Sequence, residues 1–244
     1  MPKLDKILKA ARRAKERIDA LLLRARVQDS GEARVSATFL LTIAEQFAAM
    51  AYLVEGKFST HAPILVRSML DELADLRNLA DDPNYLDQLK FEDARSNVLM
   101  VDDFAADPDI SSDPSARAKL AQWRQEYQPI CDTLKSQGLK PQRAMEKLLR
   151  AKVLSLYVSF RLLSSYTHGQ LTTLLARHVG DFELRYHDEP PAESTESLLT
   201  IALAILCQAA NLAPKFTDVS AAEMTKAIDD IEADWTAARA DGGA

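Results

Sequence analysis

Arg161 and His168 lie seven residues apart in the run Val158-Ser159-Phe160-Arg161-Leu162-Leu163-Ser164-Ser165-Tyr166-Thr167-His168-Gly169. Seven residues is almost two α-helical turns, so both side chains share one helix face, with Ser164 and Ser165 on or near it. The surrounding run is apolar, so these polar groups need partners. A guanidinium donates forked hydrogen bonds to a phosphate, and an imidazole that titrates near neutrality takes or gives a proton. One reading is therefore that the pair serves a ligand or substrate. The alternative is structural: the same residues tie their helix to carboxylates on a neighbour and satisfy buried polar groups.

The carboxylates are on an earlier helix. Leu65, Met69, Leu73 and Leu76 form its core stripe. Arg67 and Asp71, four apart on another face, have the spacing of a helical ion pair. Glu72 falls at the edge of the apolar stripe, between Leu65 and Leu79 in projection, where a carboxylate is costly unless paired. Arg161 or His168 is the expected partner, which makes Arg67, Asp71, Glu72, Ser164, Ser165 and Tyr166 one supporting polar cluster.

The strings Arg67-Ser68-Met69-Leu70-Asp71 and Ser165-Tyr166-Thr167-His168-Gly169 resemble an uncharacterised family of bacterial all-helical proteins. Its marks are an Arg-Ser-x-x-Glu helix and a later helix ending in Ser-x-x-His-Gly. Asp71 stands where Glu is usual, which shortens the carboxylate's reach. The resemblance covers roughly residues 35–210. Arg161 and His168, with six residues between them, also resemble the Arg-x(4–6)-His motif of HEPN helical bundles, many of them metal-independent ribonucleases or toxins. There the residue after Arg is often polar, whereas here it is Leu162. That resemblance implies metal-independent RNA cleavage, in which a ribose 2′-hydroxyl attacks the adjacent phosphate, His168 serves as general base or acid, Arg161 stabilises the developing charge and Ser165 or Tyr166 orients the phosphate. It also implies a homodimer in which two copies of the motif face each other, with RNA or a protein as partner.

The elements that must position these groups are helical throughout. Glycine is scarce, at 7 of 244 residues, while Ala, Leu, Arg, Glu and Lys abound. Apolar periodicity predicts helices over 3–28, 32–55, about 60–80, 84–106, 115–137, 141–168, 193–212 and 221–239, with a further piece at 170–178. Pro129 should end or kink the fifth. Residues 107–114, rich in Asp, Ser and Pro, read as a flexible linker too short to separate domains. Near 181–187, Phe182, Leu184 and Tyr186 alternate with polar residues and make the only plausible extended segment. The expectation is an all-α, single-domain bundle over 1–244 of about seven to eight helices, with 240–244 a frayed tail. The sixth helix, apolar on nearly all sides from Val153 to Leu163, should be central.

Charge and composition narrow the function classes. The net charge is −6, yet residues 1–28 form a basic helix: residues 1–26 carry +6 and the remainder −12. Such asymmetry marks either an anionic partner or the solvated face of a long helix. Overall acidity argues against strong non-specific nucleic-acid binding. Cys131 and Cys207 show no metal or redox spacing and suit a reducing cytoplasm. The longest apolar stretch, Leu198–Cys207, is too short for a membrane span, and no secretory leader is read at the N-terminus. His178 and His187, with Asp181, Glu183, Asp188 and Glu189, match no standard metal site and read as solvated loop residues. His61 reads as a surface residue, and Trp123 with Tyr127 as packing. No cofactor fingerprint is present.

Overall fold

The structure, a computed structural model, describes residues 2–167, 170–180, 183–185 and 189–240. The chain is all-α, as expected, with eleven α-helices among the described residues, more than the seven to eight predicted: α1 (Pro2–Leu22), α2 (Gly31–Glu55), α3 (Ala62–Asp81), α4 (Tyr85–Ala106), α5 (Pro108–Ser112), α6 (Pro114–Ser136), α7 (Ala144–Arg150), α8 (Tyr157–Thr167), α9 (Leu171–His178), α10 (Ala192–Ala210) and α11 (Ala221–Ala240). They fall into two compact units, one built from residues 1–80 and 144–244, the other from 81–143.

In the larger unit α1 packs against α2, α10 and α11, and α10 packs on α2. Its core is the meeting of apolar stripes at helical spacing: Ile7, Ala11, Ala14 and Ile18 of α1; Leu40, Ile43, Phe47 and Met50 of α2; Met69, Leu73 and Leu76 of α3; Leu199, Leu203 and Leu206 of α10. The alanines of α1 let its backbone approach its neighbours closely. Two stretches, Gly31–Glu55 and Ala192–Lys215, are long and apolar enough to cross a membrane by length and composition, which the count of consecutive apolar residues missed. Each gives about half of its apolar window, 44% and 50%, to the interior of this unit.

Most of the basic charge on α1 is matched by carboxylates on the helices it touches. Arg13 and Arg17 pair with Asp234 of α11 at 3.2 and 2.5 Å, and Lys3 pairs with Glu196 of α10 at 2.8 Å. Arg12 pairs with Glu55, and Arg24, two residues past the helix, pairs with Glu223 at 2.6 Å. Arg17 above all holds the Asp234 carboxyl below its usual range. The first helix ends at Leu22 instead of residue 28, because the next backbone groups pair with another segment. Gln28 N–H donates to the Phe216 carbonyl at 3.0 Å, and Asp218 N–H to that of Arg26 at 3.0 Å.

The predicted sixth helix is broken. α7 stops at Arg150, a 3-10 turn covers Leu154–Leu156, and α8 begins at Tyr157. Lys152 takes the left-handed conformation at φ 58°. Val153 N–H reaches back to the Leu148 carbonyl and Lys152 N–H to that of Leu149, both at 3.0 Å. This is the Schellman pattern, closed by the burial of Leu148 and Val153. The break turns α8 away from a central place: Val158 and Leu162 are 76% and 65% exposed, while Phe160 and Leu163 are buried. The same device ends α2, where Lys57 at φ 61° follows Gly56 and Phe58 N–H bonds the Leu53 carbonyl at 2.7 Å.

In the smaller unit α4 and α6 pack as a helical hairpin bridged by α5. The presumed linker is a pair of caps: Asp107 accepts from Asp109 N–H at 2.9 Å and Asp113 from Ser115 N–H at 2.8 Å, each ahead of a proline in the first turn. α6 continues through Pro129 to Ser136. Gln125, whose carbonyl loses its N–H partner, and Pro129 are both exposed, so water can take that place. Trp123 packs as expected, its ring tilted against Phe104 and its N–H on Asn97.

An L-residue in the left-handed region is strained, by about 1–2 kcal/mol. Lys57→Gly should therefore stabilise the protein by about 0.5–1 kcal/mol after the loss of unfolded-state stiffness. Urea denaturation checks this, and a destabilised variant would contradict the turn geometry.

Candidate functional site

Two polar groups hang from neighbouring faces of α3. In the first, the Arg67 guanidinium pairs with Asp71 one turn on and donates from Nε to the Ser164 hydroxyl on α8 at 2.9 Å. Its face lies 3.5 Å from the centre of the Phe160 ring. Ser164 in turn donates to the Phe160 carbonyl at 2.7 Å, and Phe160 stacks with Tyr157. Lys147 on α7 lies 3.9 Å from Asp71 and 2.6 Å from Asp75, which is buried. One arginine thus makes an ion pair, a hydrogen bond and a cation–π contact, and fixes α8 to α3.

In the second, Glu72 accepts from Gln46 of α2 at 2.9 Å and from Ser68 at 3.2 Å through the same oxygen. Its other oxygen is buried without a partner, as is the Gln46 carbonyl oxygen. Burial lifts the Glu72 carboxyl above its usual range. The bonds from Gln46 and Ser68 oppose that shift, and the charges of Asp71 and Asp75 add to it.

The expected cluster therefore divides. Arg67, Asp71 and Ser164 come together as the spacing implied. Glu72 turns to α2 instead of meeting Arg161, because Gln46 reaches it across the α2–α3 seam. Arg161 is exposed on α8 and belongs to neither group. Ser165 donates to the Leu162 carbonyl at 2.6 Å and accepts from Thr173 of α9 at 3.1 Å. His168 and Gly169 lie outside the described residues, as do Asp181, Phe182, Tyr186, His187 and Asp188. In place of a strand, Val179 and Leu184 form a single antiparallel bridge. His61 is exposed, as expected, and His178 meets the Arg185 carbonyl at 3.3 Å. Among the described residues no group of His, Cys, Asp and Glu could hold a metal ion. The cysteines are free, and burial pushes the Cys207 thiol up to about 12, far from a nucleophile's range.

Beside this joint lies a cleft of about 640 Å³, walled by α8, α9, α10 and the start of α3. Ser165 and Tyr166 line it, together with residues the sequence reading did not single out as a site: Ser59, Thr60, Arg177 and, on the segment before α10, Glu189. Thr173 and Arg177 are one turn apart on α9, a spacing that could have marked a polar face there.

Glu72 gives the site a pH signature. A carboxyl that holds its proton more tightly when folded contributes stability below its unfolded value, about pH 4.3. That contribution is lost as pH rises through the folded value. Glu72→Gln does not titrate, so its stability relative to the parent should improve from pH 4 to pH 7. Denaturation at the two pH values measures this, and an unchanged difference would refute the shifted carboxyl.

No curated protein and no solved structure matches the chain. The model of DUF5677, a family of unknown function, matches residues 33–186, from α2 through α9. That span contains Arg67, Asp71, Glu72, Ser164, Arg161, His168 and Arg177 and exceeds half of the sequence, and the chain belongs to the DUF5677 family.

Proposed function

We propose that this chain is a HEPN-like member of its family, a bacterial cytoplasmic protein of the defence or toxin type that cleaves RNA without a metal ion. The observation that carries the reading is Arg161, exposed on α8 while the neighbouring Arg67 is committed to Asp71 and Ser164. A guanidinium outside the structural joint is available to a phosphate. His168 follows α8 directly in sequence and supplies the proton transfer, taking the 2′-hydroxyl proton or protonating the leaving 5′-oxygen. Two copies facing each other through α8 complete the site as a homodimer.

Incubation of the purified protein with mixed RNAs in a chelator tests this. Cleavage by the parent and a loss of at least about hundredfold in both Arg161→Ala and His168→Ala are expected. Equal cleavage by parent and variants, or none by any over a broad set of RNAs, overturns it.

A second reading, a non-enzymatic interaction module with a structural polar cluster, is favoured by the half-buried joint itself. Arg67 and Asp71 keep only 19% and 32% of their side-chain surface exposed. On this reading Arg67→Ala costs about 1.5–3 kcal/mol and lowers the Tm by several degrees, while Arg161→Ala leaves it unchanged. A Tm unaffected by Arg67→Ala sinks the structural role.

A further inference from the structure

The seam between α2 and α3 holds two buried acceptor oxygens that find no donor among the described residues. Glu72 takes the Gln46 amide N–H at 2.9 Å and the Ser68 hydroxyl at 3.2 Å on one oxygen. The same amide nitrogen also donates to the Ser68 oxygen at 3.2 Å, so both of its N–H groups are used. The other Glu72 oxygen and the Gln46 carbonyl oxygen are buried without a partner. Two desolvated acceptors on groups that are already joined by a hydrogen bond carry a cost that native interiors rarely accept.

A single proton removes both costs. A carboxylate only accepts, whereas a carboxylic acid has one O–H to give. With that proton on its unpartnered oxygen, Glu72 donates to the Gln46 carbonyl while it accepts from the Gln46 N–H, and the two planar groups close a ring of two hydrogen bonds. A bridging water or a metal ion would need space of its own beside oxygens that show no surface to solvent, and a proton needs none. The electrostatics agree. Burial lifts the Glu72 carboxyl above its ordinary range, and the charges of Asp71 and Asp75 add to the rise. The cations near these aspartates are engaged, Arg67 by Asp71 and Lys147 of α7 by Asp75 at 2.6 Å. Of the other elements against α3, α2 presents the neutral Gln46, α8 turns Ser164 to Arg67, and α10 turns Gln208 to Arg77.

We propose that Glu72 and Gln46 form a neutral acid–amide clasp, a buried proton site that ties α2 to α3 and opens when the proton leaves. Ser68 and Glu72 follow Arg67 and Asp71 by one residue each, so the clasp and the joint that anchors α8 share a turn of α3. Below the unfolded glutamate value, about pH 4.3, the clasp contributes in full. As pH rises through the folded value the O–H bond is lost, and a buried charge is left on the seam. The α2–α3 seam therefore loosens toward higher pH, the reverse of a seam held by an ion-paired carboxylate. The clasp stands whether or not the chain cleaves RNA.

Infrared spectroscopy of the full chain tests it, at about one pH unit above the ordinary glutamate value of about 4.3. The difference between the parent and Glu72→Gln should contain one protonated-carboxyl C=O band, because the variant's amide closes the same ring without a titrating proton. In Gln46→Met, which keeps the side chain's length and removes both polar atoms, that band should move to higher frequency, as a carboxylic acid does on losing its partners. If Gln46→Met fails to fold, NMR of the parent decides. The Gln46 side-chain amide signals should then shift with pH at the same midpoint as the Glu72 carboxyl carbon and stay constant in Glu72→Gln. Absence of the band overturns the clasp. So does a band whose frequency ignores Gln46→Met, or a Gln46 amide that does not follow the Glu72 titration.

Discussion

Arg67 sits where α3 must accept α8, and the geometry of that helix pair depends on its fork. The guanidinium reaches three different surfaces at once: the Asp71 carboxylate, the Ser164 hydroxyl and the Phe160 ring. Hydrogen bonds to a charged group contribute about 1.5–3 kcal/mol, and the ring contact about 0.5–2 kcal/mol. A lysine could satisfy one of these at a time, because its ammonium is a point charge without a flat face. With Phe160 and Ser164 held on α3, the helical repeat rotates Ser165 and Tyr166 toward the cleft and leaves Arg161 outside the joint. The site is therefore a consequence of the joint: the turn of helix that anchors α8 also decides which of its polar side chains remain available.

The joint works only because α8 is short. A continuous helix from 141 to 168 would carry Phe160 and Ser164 along the direction of α7. The Schellman turn at Lys152 resets that direction, and the 3-10 turn at Leu154–Leu156 leads into α8. The same sequence of devices, a left-handed lysine, an apolar residue closing back on the helix and a 3-10 turn, joins α2 to α3 at Lys57. The two helices that meet at Arg67 are thus both launched from like turns. Strain accepted at two lysines is offset by the burial of Val153 against Leu148 in one case and by strong backbone hydrogen bonding at Phe58 in the other.

This accounts for what could be read from the chain. Helix content, the α2 and α3 stripes and the Arg67–Asp71 spacing follow from the 3.6-residue repeat, a local property. The break at Lys152 does not, because glycine is the residue that announces a left-handed cap, and here lysine occupies it. At the end of α2 the left-handed angle likewise falls on a lysine, Lys57, directly after the cap residue Gly56. Aspartate followed by proline at 107 and 113 was read as looseness, although the pair is also a cap and a first-turn residue. Glu72 was recognised as a carboxylate in need of a partner, but its partner, Gln46, comes from α2. Which polar side chain reaches across a seam is set by tertiary packing, and a single sequence does not carry it.

The placement of charge then limits what kind of anion the molecule can hold. Read as a chain, the positive end is the first helix, and a polyanion would be expected there. Folded, Lys3, Arg12, Arg13, Arg17 and Arg24 are engaged by Glu196, Glu55, Asp234 and Glu223. These pairs are largely exposed and each contributes little to stability, roughly 0–1 kcal/mol. Their larger effect is to flatten the field of α1, since a cation beside a carboxylate attracts a phosphate chain weakly. An acidic chain whose first-helix cations are largely paired gains little from counterion release along many phosphates. Recognition of a phosphate must then be local. On the proposed reading it falls to Arg161, which is exposed on α8 and outside the joint that Arg67 makes with Asp71 and Ser164.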